Sequence, residues 1–172
     1  KLHPSLIVRY VPSTMEDWQG WKDAGARQIF WRPNNLHSSY ALGILKPAAR
    51  KTAEALKGFA DAGTVAIDIQ GIYHNWATQG LEYYMAARFS WDPDQDYEAA
   101  LDDYCRRGFG AGAAAVKDYF GVVEREIGLP DKKTGQICPV ISAETIARLR
   151  GLLDGAAAAT KDDPASSRRV AF

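Results

Sequence analysis

The feature that most constrains the fold is the alternation of strand-like and helix-like segments over the first half of the chain. Short runs rich in apolar residues lie at 6–11, 27–31 and 64–69, and each run is followed by a segment with helical spacing. This order predicts an α/β fold, with parallel strands joined by right-handed crossover helices. Each run becomes polar only towards its end, which favours strands buried on both faces.

Start and stop signals support the helices between these strands. Ser13 with Glu16 fits a capping box for the first helix, and Pro47 suits the first position of the second, for which Gly63 is the stop. Beyond the third strand, only helices are predicted, at 76–90, 97–107, 111–127 and from 142 to about 153 or 158.

Three parallel strands are too few for a complete barrel or a well-covered sheet. We therefore expect the C-terminal part of a (β/α)8, or TIM, barrel followed by a helical extension. The predicted division is 1–91 for the last βα units, 92–159 for the helical extension and 160–172 for a disordered tail. The chain begins in a strand-like segment, so it is expected to start inside a larger domain, with the remainder of the parent barrel as its partner.

Charge and motif content bear on the class of ligand. Lys and Arg number 21, Asp and Glu number 21, and the formal net charge is zero. This balance argues against nucleic acid and anionic membrane as partners, and no apolar run is long enough to span a bilayer. No phosphate-binding loop or metal-ligand spacing is found, so neither a cofactor nor a metal is expected. Cys105 and Cys138 are interpreted as free thiols, with a disulfide between them left open.

Polar and aromatic side chains follow the second and third strands. Arg32 and Asp68 occupy equivalent points at these two strand ends, so they are expected to pair across neighbouring strands. The pair either stabilises the sheet or orients substrate hydroxyls, and both interpretations stay open. The full predicted substrate-binding set is Arg32, Asn34, Asn35, Asp68, Gln70, Tyr73, His74 and Trp76.

The chemistry of this set suits a sugar, because aromatic rings stack on its C–H faces while Asn, Asp and Arg bond its hydroxyls. Structural alternatives are a loop or capping role for His74 and a hydrophobic staple for Trp76. Glycoside hydrolysis normally requires two carboxyl groups beside the scissile bond. Only Asp68 ends a strand, and Glu82 is predicted to be solvated on a helix, so no catalytic residue is assigned.

The segment 76–120 resembles the C-terminal part of a bacterial family of unknown function. The residues that carry this resemblance are Trp76, the run GLEYYMAAR from Gly80 to Arg88, the turn WDPDQD from Trp91 to Asp96, and the Phe109–Gly110 step. Members of this family are similar to the catalytic barrels of glycoside hydrolase family 20 and of α-glucuronidases. More loosely, the resemblance covers residues 5–125.

The resemblance implies a glycoside-hydrolase-like protein that acts on an oligosaccharide or polysaccharide. In those hydrolases the acid/base residues lie on a middle strand, so the catalytic carboxylates are expected upstream of this chain, which would supply sugar-subsite residues. Two alternatives stay open. One is a non-catalytic carbohydrate-binding or scaffold protein, and the other is an unrelated small α/β interaction domain. The cellular compartment is not assigned.

Overall fold

The structure, a computed structural model, describes residues 2–11, 14–33, 47–69, 76–127 and 141–171. Its strands form one parallel sheet in sequential order, which confirms the predicted mixed α/β class with three parallel strands. The strands are β1 Ile7–Tyr10, β2 Gln28–Trp31 and β3 Ala66–Ile67. β3 is shorter than the predicted run 64–69.

The helices α1 to α6 agree with the predicted positions to within a few residues, and a seventh, α7, was not predicted. They are α1 Met15–Asp23, α2 Ala49–Asp61, α3 Trp76–Trp91, α4 Tyr97–Phe109, α5 Ala113–Glu126, α6 Ala143–Ala159 and α7 Pro164–Ala171, with a 3₁₀ turn at Gly110–Gly112 before α5. Within the described ranges, none of these helices is long and apolar enough to cross a membrane.

Threonine, not serine, caps α1. The side chain of Thr14 accepts a hydrogen bond from the backbone N–H of Asp17 at 3.3 Å and donates one to the Asp17 carboxylate at 2.6 Å. Ser13, the predicted cap, lies outside the described residues. The prediction is wrong because Thr14 occupies the cap position of α1. Ser13–Glu16 and Thr14–Asp17 have the same spacing, so the sequence pattern does not distinguish them.

One face of the sheet holds the core. Tyr10, Ile29 and Trp31 are buried there. The ring of Trp31 lies 4.1 Å from that of Phe59 on α2, and the ring of Tyr10 lies 5.5 Å from that of Trp18 on α1. Both crossover helices therefore pack on the same side of the strands.

The other face of the sheet is largely open in the part of the chain that the structure describes. Ile7 is 59 % exposed, Arg9 and Ala66 are exposed, and Phe30 is half-buried. These residues share a face because paired strands keep side chains at matched positions on the same side: Arg9 lies opposite Phe30, which lies opposite Ala66. The expectation that the strands are buried on both faces is therefore wrong for these residues, because α1 and α2 cover only one face.

The core continues from the sheet into the helices. One buried cluster contains Trp31 from the sheet, Met85 from α3, Leu101 from α4, Val116 from α5 and Ala156 from α6. The cluster thus crosses the boundary predicted between residues 91 and 92. The division of the chain into 1–91 and 92–159 stays a prediction.

Glycines in the turn before α5 allow a close approach of α6. A β-carbon at Gly112 would lie 3.0 Å from Thr160 Cγ2 and 3.2 Å from the carbonyl oxygen of Ala156. Gly110 has a positive φ of 50°, a conformation that glycine adopts without steric cost. The Phe109–Gly110 step of the resemblance therefore belongs to the junction at which the last helices pack.

The prediction of a disordered tail at 160–172 is wrong over α7. The Asp163 carboxylate accepts hydrogen bonds from the backbone N–H of Ala165 at 3.0 Å and of Ser166 at 3.3 Å, and Ser166 is buried. An Asp followed by Pro at the first helical position is a helix start signal. The charged composition of this segment obscured that signal.

Candidate functional site

Three charged side chains converge at the strand ends on the open face of the sheet. Asp68 Oδ2 lies 3.4 Å from Nε of Arg32 and 3.6 Å from Nη2 of Arg9. The predicted pairing of Arg32 with Asp68 is confirmed. We call the three residues the strand-end cluster.

Backbone hydrogen bonds place this cluster. The N–H of Arg32 donates to the carbonyl of Tyr10 at 2.8 Å, and the N–H of Asp68 donates to the carbonyl of Trp31 at 3.1 Å. The parallel ladder therefore continues one residue beyond the assigned strands. Arg32 and Asp68 lie opposite one another and on the same face as Arg9, which is one residue before the end of β1.

Sequence reasoning missed Arg9. Arg9 directly precedes the buried Tyr10, and neighbouring side chains in a strand point to opposite faces of the sheet, so Arg9 lies on the open face. The strand register is what brings its guanidinium within reach of Asp68, and the sequence alone does not specify that register.

The cluster is suited to binding a polar ligand. It holds two guanidinium groups and one carboxylate, and the side chains of Arg9 and Asp68 are about half exposed while Arg32 is mostly buried. Ion pairs open to water contribute roughly 0–1 kcal/mol each, so rearranging Asp68 to accept a ligand hydroxyl costs little. The guanidinium groups supply donors in a fixed planar geometry.

Trp76 is described, whereas five other members of the predicted set are not. The indole of Trp76 is 53 % exposed, and its ring lies 5.3 Å from that of Tyr83 in an edge-to-face contact. Trp76 also lines a cavity among the helices, and none of the residues of the strand-end cluster lines that cavity. The predicted residues that lie outside the described ranges are Asn34, Asn35, Gln70, Tyr73 and His74.

Glu82 is not solvated as predicted, because it is only 2 % exposed. The hydroxyl of Thr52 on α2 donates to Glu82 Oε1 at 3.0 Å. The face of α3 that carries Glu82 packs against α2, and the apolar stripe used for the prediction did not include this position. Burial of a carboxyl group is unfavourable unless it is hydrogen-bonded, so the contact with Thr52 joins the two helices specifically.

The described cysteine is unsuited to nucleophilic catalysis. Cys105 is a free thiol inside the core, and burial raises its pKa to about 12. The reactive thiolate is therefore negligible at neutral pH. Cys138 lies outside the described residues. In the described ranges, no group of three or more His, Cys, Asp or Glu side chains is arranged to hold a metal ion.

Asp103 connects α3 to α4 through four donors. Its Oδ1 lies 2.7 Å from Arg107 Nε and 2.7 Å from Arg106 Nη2, and its Oδ2 accepts from the Tyr84 hydroxyl at 3.0 Å and from Arg88 at 3.2 Å. The hydrogen bond from Arg107, aided by that from Tyr84 and by the nearby positive charges, lowers the pKa of Asp103 to about 2. The ionised carboxylate thus stabilises the junction between the two helices.

The stabilising effect of Asp103 should depend on pH. Its pKa in the folded state lies below that of an unfolded Asp, about 3.9, so the stabilisation is complete above that value and is lost as the pH falls towards 2. We expect the difference in Tm between the wild type and Asp103→Asn to be largest at neutral pH and to shrink between pH 4 and pH 2. This difference in Tm is measured at each pH by thermal unfolding, with circular dichroism as the signal. Asp162→Asn, on an exposed turn, is the control, and a difference for Asp103→Asn that stayed constant to pH 2 would contradict the role of ionisation.

Comparison with known proteins gives one match. The model of a protein family described as Domain of unknown function (DUF4838) matches residues 6–121. The matched range contains the strand-end cluster and ends within α5. No curated protein and no solved structure matches the chain. The match supports a family of unknown function and carries no link to glycoside hydrolase family 20 or to α-glucuronidases.

Proposed function

This chain belongs to the DUF4838 family, and from that premise we propose that it is part of a carbohydrate-active, glycoside-hydrolase-like protein. Its fold would be the last βα units of a TIM barrel. The strand-end cluster of Arg9, Arg32 and Asp68 would bind sugar hydroxyls at the mouth of that barrel.

The single observation that supports this proposal is where the cluster lies. Three parallel strands in sequential order carry it at their C-terminal ends, on the face that α1 and α2 leave uncovered. A barrel has its helices outside and its ligand at the C-terminal ends of the strands. A doubly wound sheet, by contrast, has helices on both faces and a break in its strand order.

The chemistry of the cluster favours holding a sugar over cleaving one. Arg9 and Arg32 would donate to hydroxyl or ring oxygens, and Asp68 would accept from a hydroxyl. Hydrolysis by the usual mechanisms requires a second carboxyl group, which we propose lies in the remainder of the parent barrel, upstream of this chain. The other proposed sugar contacts are Asn34, Asn35, Gln70, Tyr73, His74 and Trp76.

Binding measurements on the full chain test the proposal. A panel of neutral and acidic oligosaccharides is screened by isothermal titration calorimetry, and Asp68→Ala and Arg32→Ala are compared with the wild type for any sugar that binds. Loss of a charge-assisted hydrogen bond should weaken binding by about tenfold or more. Asp61→Ala is the matched control, because Asp61 is also an exposed carboxylate in an ion pair, with Lys57 at 2.9 Å.

Two outcomes would remove the proposal. One is that no oligosaccharide binds. The other is that Asp68→Ala and Arg32→Ala, with unchanged circular dichroism spectra, bind as tightly as the wild type and the Asp61 control.

The presence of one carboxylate in the cluster also favours a second candidate, a non-catalytic sugar-binding protein. The two candidates differ in turnover. Release of reducing ends from a sugar that the full-length protein binds would favour the hydrolase, and binding without release would favour the binding protein.

A further inference from the structure

The cavity lined by Trp76 lies among the helices, apart from the strand-end cluster. It has a volume of about 670 Å³, is partly open to solvent and is lined by residues of α3, α4, α5, α6 and α7. Small-molecule sites commonly have volumes of roughly 300–1,000 Å³ and are lined by apolar and aromatic side chains with a few polar groups. This cavity has both properties.

Aromatic rings form much of its wall. The ring of Tyr104 contacts those of Phe109 and Phe120, with centroids 5.8 Å apart for Tyr104–Phe109 and 6.0 Å apart for Tyr104–Phe120. Trp76 and Tyr119 complete the set. Such walls bind flat ligands by stacking or by edge contacts.

Gly80 permits this arrangement. A β-carbon at this position would lie 3.1 Å from the hydroxyl oxygen of Tyr104 and 3.2 Å from Cε3 of Trp76. The glycine of the GLEYYMAAR run therefore lets both rings approach the backbone of α3. This part of the family-like segment contributes to the cavity wall.

Two consecutive arginines of α7, both of them exposed, line the cavity. Arg168 Nε donates to the carbonyl of Pro164 at 3.1 Å, and Arg169 Nη1 donates to the carbonyl of Gly108 at 3.1 Å. Both partners are neutral carbonyl groups, and the nearby carboxylate of Asp163 also interacts electrostatically with Arg169. Asp163, at the start of α7, is engaged by Ser166 and Ala165.

We propose that this cavity binds a small, flat organic carboxylate. The ring system of the ligand would lie among the aromatic side chains, and its carboxylate would pair with Arg168 and Arg169, whose planar guanidinium groups match carboxylate geometry. The proposal shares Trp76 with the proposed sugar contacts, but it involves none of the residues of the strand-end cluster and does not depend on that cluster binding a sugar.

A pair of probes with the same ring system tests this. 2-Naphthoate carries the carboxylate, and 2-naphthalenemethanol is its neutral counterpart. Titration into the full chain, followed by calorimetry, should show naphthoate binding about tenfold or more tightly than the alcohol. Added NaCl should weaken binding of naphthoate but not of the alcohol. Equal affinities, or no binding of naphthoate, would overturn the proposal.

Variants locate the site. In Arg168→Gln/Arg169→Gln the charge is removed while an amide donor remains for the carbonyl of Gly108, so α7 should stay docked. Naphthoate affinity should fall about tenfold towards that of the alcohol. Arg148→Gln/Arg150→Gln on α6 removes the same charge outside the cavity and should leave affinity unchanged. The proposal would also be overturned if both double variants lost the same amount of naphthoate affinity, or if Arg168→Gln/Arg169→Gln lost none.

Discussion

Replacement of Trp31 by alanine is expected to lower the free energy of unfolding by about 3–5 kcal/mol. Trp31 is fully buried at the centre of the sheet, and its ring lies 4.1 Å from that of Phe59. Truncation removes a large apolar surface from the core and leaves a cavity where β2 contacts α2. Since folded domains are stable by only about 5–15 kcal/mol, this loss is a large fraction of the total.

A second tryptophan supplies the matched control. Trp91, at the end of α3, is 92 % exposed, so Trp91→Ala should change the free energy of unfolding by less than about 0.5 kcal/mol. Urea denaturation followed by far-ultraviolet circular dichroism gives both values. If Trp31→Ala and Trp91→Ala changed the free energy of unfolding by similar amounts, Trp31 would not be a core residue.

Replacement of Gly112 by alanine is expected to destabilise the chain by about 1–3 kcal/mol. The added β-carbon would lie 3.0 Å from Thr160 Cγ2 and 3.2 Å from the carbonyl oxygen of Ala156. One of these neighbours is backbone, which does not move aside as a flexible side chain does. The end of α6 must therefore shift away from the turn that precedes α5.

Gly58 provides a control in which the same substitution should have the opposite sign. It lies inside α2, and a β-carbon there would have no neighbour within 4 Å. Gly58→Ala should stabilise the chain by about 0.5–1 kcal/mol, because alanine favours a helix more than glycine does. Chemical denaturation of both variants measures the two changes. Destabilisation by both would indicate a general intolerance of substitution, and not a close contact at Gly112.

The parts of the fold that follow from local rules could be predicted from the sequence. Strand–helix alternation predicted the parallel sheet, and equivalent positions at strand ends predicted the pairing of Arg32 with Asp68. The helix predicted to start at residue 142 also begins there, since the side chain of Ser142 accepts a hydrogen bond from the N–H of Thr145 at 3.0 Å. Each of these depends on a periodicity or on a contact a few residues away.

The parts that depend on packing between distant segments could not be predicted in this way. The burial of Glu82 follows from the contact of α3 with α2 and from Thr52, which is thirty residues away in the chain. The third member of the strand-end cluster, Arg9, required the register between strands. The aromatic cavity required five helices to be placed relative to one another, and one of them, α7, lies in a segment that was not predicted to be ordered.

The alternation of side chains along the strands separates two roles, core packing and surface charge, within single pairs of neighbouring residues. Tyr10 is in the core while Arg9 is on the open face, and Trp31 is in the core while Arg32 reaches Asp68. A change in the charged member of each pair can alter the charge of the open face without creating a cavity in the core. A protein built in this way can change the charges of its open face at every second position while its core is preserved.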